Sequence, residues 1–171
     1  MPYSDPNLTH NPATGGVAPA AWGDVIRDNC EFFIDPPTCS VFNSAVQSIP
    51  DNATTAMTAN SENFDTDAMH STVSLTSRVV AQTAGRYLVN AAVLFAANAT
   101  GRRALDLRIN GTTTHNIDGR MTVTTVNSMA ITGMRLLTLA AGDYVEAMVL
   151  QTSGGNLNVT LNELGAVFLT R

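Results

Sequence analysis

Read from its residues, the chain is an all-β protein: an antiparallel sandwich over residues 39–171, preceded by an extended arm and one short helix within residues 1–38. Two patterns carry that reading. From Cys39 onward apolar residues recur with period two, and turn-forming residues interrupt them at short intervals, as in a sandwich. Ahead of Cys39, one segment instead repeats at i, i+3 and i+4. A length of 171 residues suits a single domain with an extension.

Residues 1–14 are rich in Pro, Asn and Thr, lack apolar periodicity and are expected to form an arm. Residues 15–37 hold the helix, with Pro19 suited to its first turn and Asp35-Pro36-Pro37 ending it. Trp22, Val25, Ile26, Asn29, Cys30 and Phe33 fall on one face. A helix this short needs a surface to pack against. Ser40–Ile49 opens the sandwich, and the polar stretch Pro50–Ser71 reads as a long surface connection with at most a short strand. Strands are then expected over Val73–Thr83, Arg86–Ala97 and Arg102–Ile109, with Asn110-Gly111 as a tight turn because both positions tolerate positive φ. The stretches beginning at His115, Tyr144 and Leu157 complete the series.

Two strands have two apolar faces. Tyr87, Val89, Ala91, Val93 and Phe95 alternate with Leu88, Ala92 and Leu94, and Tyr144, Met148 and Leu150 alternate with Val145, Ala147 and Val149. One face of a sandwich strand fills the core; the other then needs a cover, and another copy of the chain is the simplest one.

Composition excludes several chemistries. All nine basic residues are Arg and none is Lys, so no Walker-type lysine or Schiff-base nucleophile exists. A net charge of -5 argues against a nucleic-acid partner, and the cluster Arg102, Arg103 and Arg108 is expected to be a solvated strand face. No stretch approaches the ~20 apolar residues of a membrane span, and no secretory signal opens the chain, so no membrane partner is expected. Cys30 and Cys39 lack zinc-site spacing; a disulfide between them is one alternative, and two free, packed thiols are the expected state in a reducing cytosol. Asn-x-Thr triplets at Asn7, Asn52, Asn98, Asn110 and Asn158 are ordinary in a Thr- and Asn-rich β protein.

His10, His70 and His115 share no metal or triad spacing. Asp65, Asp67 and His70 could place carboxylate oxygens around a hard cation, but the turn Gly and terminal Glu of such loops are missing, so a solvated loop is the plainer reading. Glu146 and Glu163 have no partner at a glycosidase-like spacing. The expectation is a protein that is not an enzyme, with no catalytic residue, cofactor or metal.

The segments AGRYLVNAAVLFAA, RRALDLRINGT, LLTLAAGDYVEAMVLQTSG and LGAVFLTR resemble, in order and spacing, the tumour-necrosis-factor-like jelly roll, especially the globular heads of the complement recognition subcomponent. The resemblance implies a jelly roll assembled as a homotrimer, with the strands Tyr87–Phe95 and Tyr144–Gln151 near the threefold. Tyr87, Val89, Val93, Phe95, Tyr144, Met148 and Leu150 are then the expected interface residues. The opening segment has its own resemblance. Ala20, Ala21, Val25, Ile26, Arg27, Asp28, Asn29 and Phe33, followed by Pro36-Pro37, are similar to the N-terminal anchor of small structural proteins of tailed bacteriophages. That implies an anchor formed by Trp22, Val25, Ile26, Arg27, Asp28, Asn29 and Phe33 on a major capsid or tail protein. The function so implied is a trimeric structural protein at the virion surface, made in the host cytoplasm and decorating the capsid; the alternative is a minor tail or baseplate appendage whose loops bind a host surface glycan or receptor.

Overall fold

The computed structural model describes residues 20–116, 121–122 and 127–170. The arm expected over residues 1–14 and the first-turn Pro19 lie outside them.

A helix, α1 (Ala20–Ile34), precedes twelve strands: β1 (Thr38–Phe42), β2 (Gln47–Ile49), β3 (Thr55–Ala56), β4 (Ser61–Asp65), β5 (Arg78–Val80), β6 (Gly85–Phe95), β7 (Arg102–Ile109), β8 (Thr113–Asn116), β9 (Met121–Thr122), β10 (Met129–Leu139), β11 (Tyr144–Gln151) and β12 (Leu157–Thr170). They form two antiparallel sheets. The first runs β10-β6-β12-β1-β4, with β2 also on β12; the second runs β3-β11-β7-β8, with β5 also on β11 and β9 on β7. The fold is the antiparallel jelly-roll sandwich that the sequence implies.

The long strand β6 is an interior strand of the first sheet, paired along nearly its whole length to β10 on one edge and β12 on the other. Tyr87, Val89, Ala91, Val93 and Phe95 face the second sheet and are at most 1% exposed. Leu105 and Leu107 of β7 and Val145, Ala147 and Val149 of β11 meet them from the other side. This corrects the expected threefold contact. Tyr87, Val89, Val93 and Phe95 are sealed inside the chain's own core, because of the two apolar faces of β6 the one with the larger side chains fills it.

The remaining expected contacts lie on the second sheet. Met148 is buried by its own chain, beside Ala56 of β3. Tyr144 carries the Arg78 guanidinium 4.0 Å from its ring centroid. Leu150 is half-buried opposite Ala104.

Two local expectations change as well. The polar stretch Pro50–Ser71 contributes two strands, since β3 and β4 pair through backbone groups that do not require apolar side chains. Val73–Thr83 contributes only β5; Val73 is 90% exposed in the turns before it.

The two ends of the sandwich close differently. At the helix end, Phe168 stands edge-on between Tyr87 and Phe32 of α1. The Tyr87 hydroxyl donates to the Thr83 carbonyl at 2.6 Å, and burial pushes its pKa up to about 12. At the opposite end, Arg103 is fully buried, contrary to the expected solvated face. It lies 5.8 Å from the Phe95 ring centroid and donates to the carbonyls of Asn98, Thr100 and Arg102, which fold a loop around the charge. Its neighbour across the ladder, Gln151, is also fully buried and donates to the carbonyls of Ile49 and Gly155.

Candidate functional site

With one face of β6 committed to the core, the other points away from the sandwich, and its neighbours on β10, β12 and β1 point with it. The register sets out the rows. Leu136, Leu88 and Val167 lie side by side. The next row is Met134, Asn90, Gly165, Ser40 and Phe64; then Thr132, Ala92, Glu163 and Phe42; then Ala130, Leu94 and Leu161. Met134 is 63% exposed, Leu136 67% and Leu161 44%. Strands ~4.8 Å apart and rows ~6.7 Å apart make this face roughly 20 Å on a side, the size of patch that marks an interaction surface.

Polar groups within the face are few and placed. Asn90 lies at its centre over Gly165, where a Cβ would come within 2.6 Å of the Asn90 Oδ1. Glu163 is one row away. Towards the helix end the face runs into an open groove of about 510 Å³, lined by Arg86, Leu136, Leu137, Thr138, Leu169 and Thr170. The outer face of the second sheet differs in kind: Ser77 donates to Glu146 at 2.6 Å, and Arg78 lies over Tyr144.

The helix meets its own domain through a residue that the sequence stripe omitted. Phe32 is 7% exposed and packs on Phe168 at a centroid distance of 5.1 Å. Of the expected anchor residues, Ile26 and Phe33 are 56% and 74% exposed, while Val25, Asp28 and Asn29 are half-buried. Trp22 occupies the first turns of α1. Arg27 pairs with Asp24 and Asp28, both at 3.0 Å, and these contacts are solvent-exposed and add little stability. Ile26, Phe33 and Ile34 are thus available for contact.

The residues weighed for catalysis or metal binding are occupied with local structure. Asp65 accepts from the backbone amides of Asp67, Met69 and His70, which ties down the loop after β4. The His70 ring lies between the Glu62 carboxylate at 2.9 Å and the Thr76 carbonyl at 3.2 Å. His10 lies outside the described residues, and His115 falls on β8. Among the described residues no three His, Cys, Asp or Glu side chains are grouped to hold a metal ion. No helix among them is long and apolar enough to cross a membrane. Both cysteines are free; Cys39 is packed as expected, whereas Cys30 is exposed on α1.

No protein-family model and no curated protein matches the chain. Solved structures do match in fold. The globular domain of zebrafish complement 1qA aligns with a TM-score of 0.56 at 16% identity, covering 79% of this chain and 98% of that one. Murine APRIL at pH 8.0 aligns with a TM-score of 0.57 at 14% identity, covering 78% and 98%. At such identities the likeness establishes the jelly-roll fold.

Proposed function

We propose that this chain is a non-enzymatic assembly domain that works as a homotrimer through the outer face of its first sheet. The observation that carries the reading is that exposed apolar face of β10, β6 and β12, centred on Leu88, Met134, Leu136 and Leu161. Water-exposed apolar area of this extent is covered in working proteins, and copies of one chain related by rotation can cover it on every subunit alike. The tumour-necrosis-factor-like resemblance implies three copies. Asn90 and Glu163, polar groups amid apolar ones, would fix how the copies register.

The setting of this trimer is a virus particle of the tailed-phage type, where it is a structural protein decorating and stabilising the capsid surface. Two features support this: the likeness of Ala20–Phe33 to the anchors of such proteins, and the placement of the helix at one end of the sandwich. The loops Asn98–Gly101 and Ser153–Asn156 lie at the other, so an anchored helix end presents them outward.

Light scattering on the purified chain tests the assembly. The expected mass is three times that of one chain, and Leu136→Asp is expected to give folded monomers; a wild-type monomer overturns the trimer. Quantitative mass spectrometry of purified particles that carry the gene tests the setting. Hundreds of copies per particle fit capsid decoration, whereas a few to a few dozen move the protein to a tail or baseplate appendage that contacts host glycan or receptor. Absence from the particles overturns the virion role and leaves the trimer standing.

A further inference from the structure

The loop between β4 and β5 puts apolar side chains into water. Val73 is 90% exposed and Leu75 64%, and Leu75 holds left-handed backbone with φ 51°, a conformation unfavourable for a residue with a Cβ. Local bonds shape this tip: the Ser71 hydroxyl oxygen accepts from the Ser74 amide at 3.2 Å, and the Leu75 carbonyl accepts from the Arg78 amide at 2.9 Å. A histidine closes the neck. No part of the His70 side chain is exposed, and its ring lies between the Glu62 carboxylate, 2.9 Å from Nδ1, and the Thr76 carbonyl, 3.2 Å from Nε2.

Both partners of the ring are acceptors. Neutral imidazole has one N–H and serves only one of them; the other then meets a lone pair, and the shielded ring cannot turn that nitrogen to water. A half-turn of the ring exchanges the two nitrogens and leaves the same mismatch. Only the imidazolium donates to both. In the neutral ring the one proton goes to the carboxylate, since a hydrogen bond to an ionised acceptor is the stronger. The tie that needs the second proton is therefore the one from Nε2 to Thr76.

The charges nearby suit a cation. From β4 come Glu62 and Asp65, whose Oδ2 accepts from the His70 amide at 2.9 Å, and Asp67 follows in the adjoining turn. On β1, Cys39 stands opposite Asp65, and burial, with Asp65 adding to it, pushes the thiol up to about 12, so it stays neutral. Arg78 on β5 is directed elsewhere, 3.6 Å from Glu146 and over the Tyr144 ring.

We propose that His70 is a proton-operated latch on the loop of residues 71–76: the doubly protonated ring ties the neck to β4, and loss of the Nε2 proton loosens the loop that displays Val73 and Leu75. Because the protonated ring makes both bonds, the latch is closed on the acid side and opens as pH rises through the range in which histidine changes charge, about pH 5 to 8. The Thr76 carbonyl also accepts from the Ala59 amide at 2.8 Å, so opening loosens the loop without detaching it from the sandwich. The latch works within one chain and is independent of the trimer.

Two NMR measurements on the full-length chain test this. The first reads the His70 ring nitrogens in the wild type: both are expected to carry a proton at about pH 5 and only Nδ1 at about pH 8. A ring with one proton at both pH values, or one that keeps its last proton on Nε2, overturns the latch. The second follows hydrogen exchange at the amides of Ala59 and Arg78, corrected for the intrinsic effect of pH. Protection is expected to fall about tenfold over the same range in the wild type, the worth of one hydrogen bond, and to stay level in His70→Gln. A level wild-type profile, or an equal fall in His70→Gln, overturns the latch. The ring measurement needs no variant and decides alone where His70→Gln fails to fold.

Discussion

The ring of Phe32 stands at 82° to that of Phe168, with centroids 5.1 Å apart, and this edge-on contact joins the helix to the sandwich. Phe32 also closes the end of the core over Tyr87, which lies 5.4 Å from Phe168. Phe32→Ala is expected to cost about 2 kcal/mol in urea unfolding, below a full core truncation because the site is at the edge. At concentrations where the chain is monomeric, Phe33→Ala should leave the same midpoint within error, since Phe33 is 74% exposed in the single chain. An equal loss from the two variants would place the docking residue wrongly.

Gly101 occupies left-handed backbone with φ +74, and a Cβ there would overlap the Thr152 carbonyl. Both terms act against any side chain, so Gly101→Ala is expected to destabilise the fold by about 3 kcal/mol or more. Gly142, with φ +89 but nothing within 4 Å, offers the control: Gly142→Ala carries backbone strain alone, about 1 kcal/mol. Thermal melts of the pair distinguish overlap from strain.

Arg103 has no carboxylate partner among the described residues and is held by three carbonyls, with burial lowering its pKa. Arg103→Met removes the donors and leaves those acceptors shielded, for an expected loss of about 2–3 kcal/mol. Arg103→Lys should recover little of it, because an ammonium cannot span the fork of acceptors. Chemical denaturation of the two variants checks this, and full rescue by Lys would contradict it.

Alkali should unfold the domain from within. Burial, with Asp65 adding to it, pushes the Cys39 thiol from 9.0 up to about 12, and burial pushes Tyr87 from 10.0 up to about 12. Both groups hold their protons more tightly when folded than when unfolded. Stability is therefore fully present below about pH 9 and is lost, by a few kcal/mol, as pH rises through the window to about 12. Denaturant midpoints measured across that window should fall more steeply for the wild type than for Cys39→Ala. A thiol reagent at neutral pH should modify Cys30 at once and Cys39 only on unfolding.

Much of this molecule is legible in the order of its residues. Leu105, Leu107 and Ile109 alternate with Asp106 and Arg108, so β7 and its buried face follow from period two, and Asn110-Gly111 turns where it should because both have positive φ, 51° and 71°. Asn52 is likewise left-handed, which gives two of the five Asn-x-Thr triplets a conformational reason. What the residues leave open is the choice between equals. β6 is apolar on both sides, and only the approach of the second sheet decides that Tyr87 and Phe95 go inside while Leu88 and Leu94 look out. Phe32 and Phe33 are adjacent and chemically identical, yet the position of Phe168 selects Phe32. Arg103 is in phase with Leu105 and Leu107, so period two alone sets it on the inner face of β7, opposite Arg102 and Arg108; that a charge can stay there is decided by the carbonyls of Asn98, Thr100 and Arg102, which gather around it only in the fold. Local pattern fixes conformation, since it depends on neighbours in the chain; burial depends on neighbours in space, and those exist only once the sheets have met.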